Sequence, residues 1–443
     1  MFKYKKMRKL TYLLALTSLV SFAQQTPAPK QTKSILIMGG TAHLGNGKIQ
    51  ENSLISIVDG KIASVSDATV TRIGQHDIVI QADGKHIYPG FIAPNSTLGL
   101  VEIDAVRASD DESEIGEFNP HIRTIIAYNT ESKLTEAARP NGVLLAQVTP
   151  RGGRISGTSS VVQLDAWNWE DAIVRENDGI HMRWPNSYAR LGWWAEPGGI
   201  EANKKYDEQT KGIQLFFDNA FGYLKTDKKV KDIPYDAMNG LQTGEKKLYV
   251  NANGEKEITD IILFKKKNNI KNLVIIGGYS AHKVADLLKE NNVAVLLRRI
   301  HDVPNSEDED VNLPYKIAKI LNDKGIVVGL ENSGDMERMQ TRNMPFYAGT
   351  CAAWGMSKED ALKLITSNTA KILGIDAMYG TLESGKSATL FISEGDALDM
   401  KTNKLSHAFI DGRQISLESH QTELYERYKG KYEAGSVKSE VKQ

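Results

Sequence analysis

The side chains able to do chemistry in this chain come from several separate stretches. The first is VTPRGGRISGTSS, residues 148–160, rich in glycine and hydroxyls and carrying Arg151 and Arg154. Such a segment can turn backbone N–H groups and guanidinium forks toward an anion such as a carboxylate, or it can be a wide turn with solvated arginines. It is not a P-loop, because no Gly-Lys-Ser/Thr follows at the required spacing. The second group is RRIHDVP, residues 298–304, with the stretch 331–344 beyond it. There Arg299, His301, Asp302, Glu331, Asp335, Arg338 and Arg342 are placed to face one cavity. A His beside an Asp, with a carboxylate across the pocket, is a workable acid and base without a metal; salt bridges holding long loops are the alternative. The candidate catalytic residues are therefore Glu331, Asp335 and His301. The candidate ligand contacts are Arg151, Arg154, Arg299, Arg338, Arg342 and Tyr279. Serine and thiol hydrolase schemes find no support: Gly-x-Ser-x-Gly, His-Glu-x-x-His and Cys-x-x-Cys are absent, and Cys351 lies in an apolar, helical context. Five of the six tryptophans fall between Trp167 and Trp194. They suggest an aromatic wall over a cavity, a subunit contact, or the packing of a lid.

These residues must be carried by a large, ordinary globular scaffold. The chain has 443 residues, 41% hydrophobic and 25% charged, enough for one big domain and a smaller one. The first 23 residues hold five cations, Lys3, Lys5, Lys6, Arg8 and Lys9, and no acid, which leaves 50 basic residues against 55 acidic ones. That balance argues against a nucleic-acid surface. The same 23 residues have a basic start, an apolar run over 10–20 and small residues at Ser21 and Ala23, the parts of a secretory signal cleaved after Ala23. The apolar run is short of the roughly 20 residues of a spanning helix, and no later segment approaches that length. A single cysteine agrees with an oxidising compartment. The expectation is an exported protein, periplasmic or secreted, without stable membrane insertion.

After a polar linker over 24–33, residues 34–88 alternate Ile, Leu and Val with turn signals such as Asp59-Gly60, as a small β unit does. From Tyr88 onward, short apolar runs at 143–148, 248–250, 273–276, 293–297 and 326–330 are separated by helical stretches. This alternation over ~290 residues suits a closed (β/α)8 barrel, here 89–376. Strand and turn composition returns over 377–418 and can complete the first β unit, and residues 419–443 read as a charged, partly disordered tail.

Three signatures resemble the amidohydrolase superfamily, in its secreted imidazolonepropionase-like branch. They are Asp59-Gly60-Lys61-Ile62, Tyr88-Pro89-Gly90-Phe91-Ile92, and the run ALKLITSNTAKILGI over 361–375 followed by GTLESGK over 380–386. The resemblance covers residues 35–417 and implies a TIM barrel with a composite β-sandwich built from both chain ends. It also implies a hydrolase acting on carbon–nitrogen bonds other than peptide bonds, with a divalent metal, by default zinc.

In the family, a His-x-His pair, two further histidines and an aspartate hold and use that metal. The metal lowers the pKa of a bound water and the aspartate takes its proton. The resemblance places the pair on Asn95 and Thr97, the later histidines on Asn251 and Gly277, and the aspartate on Ser333. None of these is a zinc ligand of imidazole strength. No metal or other cofactor is expected, and a rebuilt site would need His121, His181 and His301 to converge from loops. Two outcomes stay open: a hydrolase with a metal-poor site, or a silent barrel that binds a small molecule or pairs with an active amidohydrolase; a homo-oligomer is open in either case.

Overall fold

The computed structural model describes residues 25–72, 74–193, 195–227, 230–332 and 337–440; the stretch 1–23 expected to be a signal, and both Ser333 and Asp335, lie outside them. Eight strands form the central sheet: β1 (Phe91–Ser96), β2 (Val143–Val148), β3 (Ile155–Gln163), β4 (Ile173–Arg183), β5 (Lys247–Ala252), β6 (Leu273–Gly277), β7 (Ala294–Leu297) and β8 (Val328–Leu330). They follow one another in chain order around the barrel. Two backbone bonds help close it between β8 and β1: Leu330 N donates to Leu364 O at 3.1 Å, and Ile92 N donates to Ile365 O at 2.9 Å.

Alternation explains why these runs are strands. Ile92, Leu145, Val161, Tyr249, Val274, Ile276 and Leu296 form one buried cluster with the helix Ser367–Leu373. Their neighbours Phe91, Ala93, Leu144, Ala146, Leu248, Val250, Ile275 and Val295 belong to the main core. Successive strand side chains point to opposite faces, so both faces of each strand are buried, as a barrel with an outer helical layer requires.

The barrel departs from a strict (β/α)8 pattern at β3, which runs antiparallel to both β2 and β4. Gly152 and Gly153, with φ of 77° and 55°, turn the chain straight back after β2. Much of the segment read from sequence as a loop is therefore strand β3.

The N-terminal residues make a four-stranded sheet in the order Lys61–Asp67, Ser53–Val58, Ile35–Met38, Ile78–Gln81. Its tight turn falls on Asp59 and Gly60, both at positive φ, the backbone that an Asp-Gly pair adopts readily. A six-stranded sheet joins both chain ends, with Leu390–Ser393 paired antiparallel to His86–Pro89. The C-terminal residues are helical over His420–Glu440, where the sequence suggests a partly disordered tail. Tyr425, Tyr428 and Tyr432 stand exposed on that helix.

Candidate functional site

At the mouth of the barrel, where β1, β2, β4, β5 and β6 end, lies a pocket of ≈ 360 Å³ lined by Asn95, Glu112, Arg151, His181, Arg183 and Asn251 among others. Asn95 sits in a register shift of β1 with φ of 51°, a left-handed conformation that Asn tolerates better than most residues. Its amide is thoroughly engaged. Nδ2 donates to Glu331 Oε2 at 3.3 Å, while Oδ1 accepts from Thr149 Oγ1 and from Arg151 Nη1, each at 3.2 Å. Arg151 Nη2 also donates to the Asn95 carbonyl at 2.8 Å. Glu331 and Asn95 are both nearly inaccessible, at 2% and 3%. A guanidinium is thus clamped at the end of β1.

Below the pocket, polar side chains replace the apolar filling on the inner faces of β2, β3 and β4. Asp178, fully buried, accepts from Ser159 Oγ at 2.7 Å, Tyr249 Oη at 2.7 Å and Gln147 Nε2 at 2.8 Å. Burial raises the Asp178 carboxyl pKa, and these donors oppose the rise. His181 Nε2 meets Ser159 Oγ at 2.9 Å, and the ring stacks on Tyr249 at 4.6 Å. Burial first, and the Arg151 charge second, hold the imidazole pKa well below its ordinary value.

No family model matches the chain. An imidazolonepropionase of Flavobacterium psychrophilum is 27% identical over 112 residues, which span 24% of this chain and 27% of that protein. Among solved structures, an amidohydrolase from Thermotoga maritima MSB8 superposes with a TM-score of 0.73 at 22% identity, covering 86% of this chain and 99% of its own. The chain has the amidohydrolase fold. Weaker likenesses agree: a Xaa-Pro dipeptidase with bound methionine (TM-score 0.52, 14% identity, 86% of this chain and 100% of that one), and an adenosine deaminase from Xanthomonas campestris with bound zinc (0.51, 11%, 87% and 93%).

Within this amidohydrolase fold, Asn95, Thr97, Asn251 and Gly277, the described residues at the expected ligand positions, offer no imidazole to a metal. Asn95 spends its oxygen on Thr149 and Arg151. Thr97 is buried beside it at 4% exposure. Gly277 has no donor atom, has a φ of +91°, and a Cβ there would lie 2.7 Å from Asn253 Oδ1. Asn251 lines the pocket with an amide in place of an imidazole. Among the described residues, no three His, Cys, Asp or Glu side chains are grouped to hold a metal ion.

The sequence candidates divide between the pocket and its surroundings. Arg151 lines the pocket, Glu331 is bonded to Asn95, and Arg338 pairs with Asp104 and approaches the pocket residue Glu112 at 4.0 Å. Arg154 donates to the Arg183 carbonyl at 3.3 Å. His301 shares a 2.8 Å hydrogen bond with Thr350 Oγ1 and packs edge-on against Tyr347, and its neighbour Arg299 is half-buried. Arg342 is exposed, its carbonyl accepting from Asn141 Nδ2. Tyr279 Oη donates to Glu309 Oε2 at 2.5 Å and accepts from Asn305 N at 3.0 Å, pinning the loop after β7; burial pushes its phenol up to about 12. Asp302 is paired with Arg298.

Two further readings change. His181 is not a loop residue but part of β4. The described tryptophans do not form one wall, because Trp167 and Trp169 lie in the β3–β4 connection at the far end of the barrel. Trp184 is buried at the mouth, where its Nε1 donates to Tyr206 Oη. Exposed Trp193 lies on a hairpin of Tyr188–Trp193 and Glu196–Ala202, and Tyr188 and Ile200 of that hairpin border a second cavity of ≈ 1060 Å³. Gln147, Ser159 and Asp178 were not singled out in the sequence; Gln147 stands as a lone polar residue in the apolar run 143–148, whereas Ser159 and Asp178 lie among polar neighbours and gave no such signal.

Proposed function

We propose that this chain is an exported, amidohydrolase-type hydrolase that acts on a carbon–nitrogen bond, other than a peptide bond, of a small molecule bound at the barrel mouth. The fold and the local similarity to an imidazolonepropionase support the reaction class. The observation that carries the site is Arg151 held on Asn95, a fixed positive charge beside a polar pocket. A guanidinium so held can stabilise negative charge developing on a carbonyl oxygen, and Glu331, bonded to Asn95, is the nearby carboxylate suited to take a proton from water. The described residues at the expected ligand positions do not fit a metal, and no step is assigned to one. Export, with cleavage after Ala23, remains part of this proposal. Among the described residues no helix is long and apolar enough to cross a membrane.

The test is hydrolysis of a panel of small amides and lactams by chelator-dialysed mature protein. Turnover that survives the chelator and is lost in Arg151→Met supports the reading, and turnover that requires added metal overturns it. A second reading, binding without turnover, is favoured by how completely Glu331 is buried. Calorimetric binding with no product formed would select it.

A further inference from the structure

The hydrogen-bond order beneath the pocket fixes one proton. The backbone N–H of Asn95 donates to Gln147 Oε1 at 3.0 Å, so the amide of Gln147 has one orientation, with Nε2 on its far side. That Nε2 donates to Asp178 Oδ2 at 2.8 Å and to Ser159 Oγ at 3.2 Å. Tyr249 Oη also donates to Asp178 Oδ2. Ser159 then has a single hydrogen and two acceptors for it, Asp178 Oδ1 at 2.7 Å and the Gly179 carbonyl at 3.2 Å. With the Ser159 hydrogen donated to Asp178 Oδ1, none remains for His181. The 2.9 Å contact must be donated by His181 Nε2–H. Nδ1 of the neutral ring is then the lone-pair nitrogen.

Nδ1 is not among the buried, unsatisfied atoms of the described residues, and no hydrogen bond is made to it there. His181 lines the pocket that it shares with Arg151 and Asn95. We propose that His181 Nδ1 is a fixed hydrogen-bond acceptor of this pocket, which takes ligands presenting an N–H or O–H donor next to a carbonyl or carboxylate oxygen, the oxygen going to the Arg151 side. The subsite deepens the functional reading above, but its hydrogen-bond order holds whether or not the pocket turns a substrate over.

Ring 15N spectra of histidine-labelled, full-length mature protein at neutral pH provide the first test, with the His181 signals identified by their loss in His181→Gln. A protonated Nε2 and an unprotonated Nδ1 are expected; the opposite tautomer or an imidazolium overturns the proposal. Asp178→Asn, whose amide can donate to Ser159 and so release the Ser159 hydrogen to His181, should move the ring proton to Nδ1. If Asp178→Asn does not fold, the wild-type spectrum still decides. Access is read by diethyl pyrocarbonate and peptide mass spectrometry: His181 should be modified despite its 4% exposure, and an unmodified His181 refutes the proposed acceptor. The ligand class is read by protection. Acetamide should slow this modification severalfold more than N,N-dimethylacetamide, and equal effects, or none, overturn the donor requirement. A protein with no hydrolytic activity that still passes these tests would sink the hydrolase reading alone.

Discussion

Arg151 donates to both oxygens of Asn95, at 2.8 Å to the main-chain carbonyl and at 3.2 Å to the side chain. At this position the resemblance expects the first metal-binding histidine; the structure has an amide that holds a cation from the loop after β2. A positive charge is thus present at the end of β1 through a covalently attached group, which neither dialysis nor a chelator can remove.

Metal content follows from that arrangement. Purified mature protein dialysed without chelator should contain well under one equivalent of zinc, manganese or iron, and a chelator should leave its melting temperature unchanged. Elemental mass spectrometry with a thermal melt checks both. One equivalent of tightly held metal would require ligands other than Asn95, Asn251 and Gly277.

Gly277 gives a sharper test of the same point. With φ at +91° and Asn253 Oδ1 standing 2.7 Å from a would-be Cβ, any side chain is strained there. Gly277→Ala should cost about 1–3 kcal/mol, the usual range for a residue held in an unfavourable backbone region. Urea unfolding measures it. A neutral substitution would show that the end of β6 relaxes easily and could accept a histidine.

How much of this was legible in the sequence depends on the range of the interaction. The barrel and the composite sheet were, because short apolar runs such as 143–148 and 273–276 recur between helical stretches and Asp59-Gly60 encodes a local turn. The reversal of β3 was not, since its glycines and hydroxyls have the composition of a loop. Asp178 and Ser159 become partners only through the antiparallel register of β3 and β4. The hold of Arg151 on Asn95 likewise depends on the pairing of β1 with β2.

Acid should destabilise the protein before any carboxylate-driven unfolding. Burial lowers the pKa of His181 strongly, and those of His86 and His282 less so. Unfolded, these rings titrate near 6.5, so the unfolded state binds more protons in that region. Their contribution to stability is complete above about 6.5 and is lost as pH falls through the lowered folded values. Asp178, with a raised pKa, works in the opposite sense. His301 and His407 are lowered by burial as well, and these five imidazoles against the one raised carboxyl set the net direction. The urea midpoint should therefore fall between pH 7.5 and 5.5; a flat or rising midpoint would contradict the burial of these rings.

The far end of the barrel makes the largest stability prediction. Asp165, 3% exposed, accepts from Arg139 Nη1 at 2.8 Å, from Arg413 Nη1 at 2.9 Å and from the Ala28 N–H at 2.9 Å. It thereby ties the N-terminal segment, the β3–β4 connection and a C-terminal strand together. The Arg139 side chain is only 5% exposed, so removing the carboxylate strands a buried cation. Asp165→Ala should cost about 3–5 kcal/mol, the usual penalty for breaking a buried pair from one side. Asp165→Asn keeps an acceptor for one partner and should cost less. Replacing Arg139 by Met together with Asp165→Ala should recover part of the loss, because the stranded charge is removed with its partner. Denaturant midpoints of the three variants separate these cases, and a loss in Asp165→Ala below about 1 kcal/mol, the range of an exposed pair, would mean that water reaches this junction in solution.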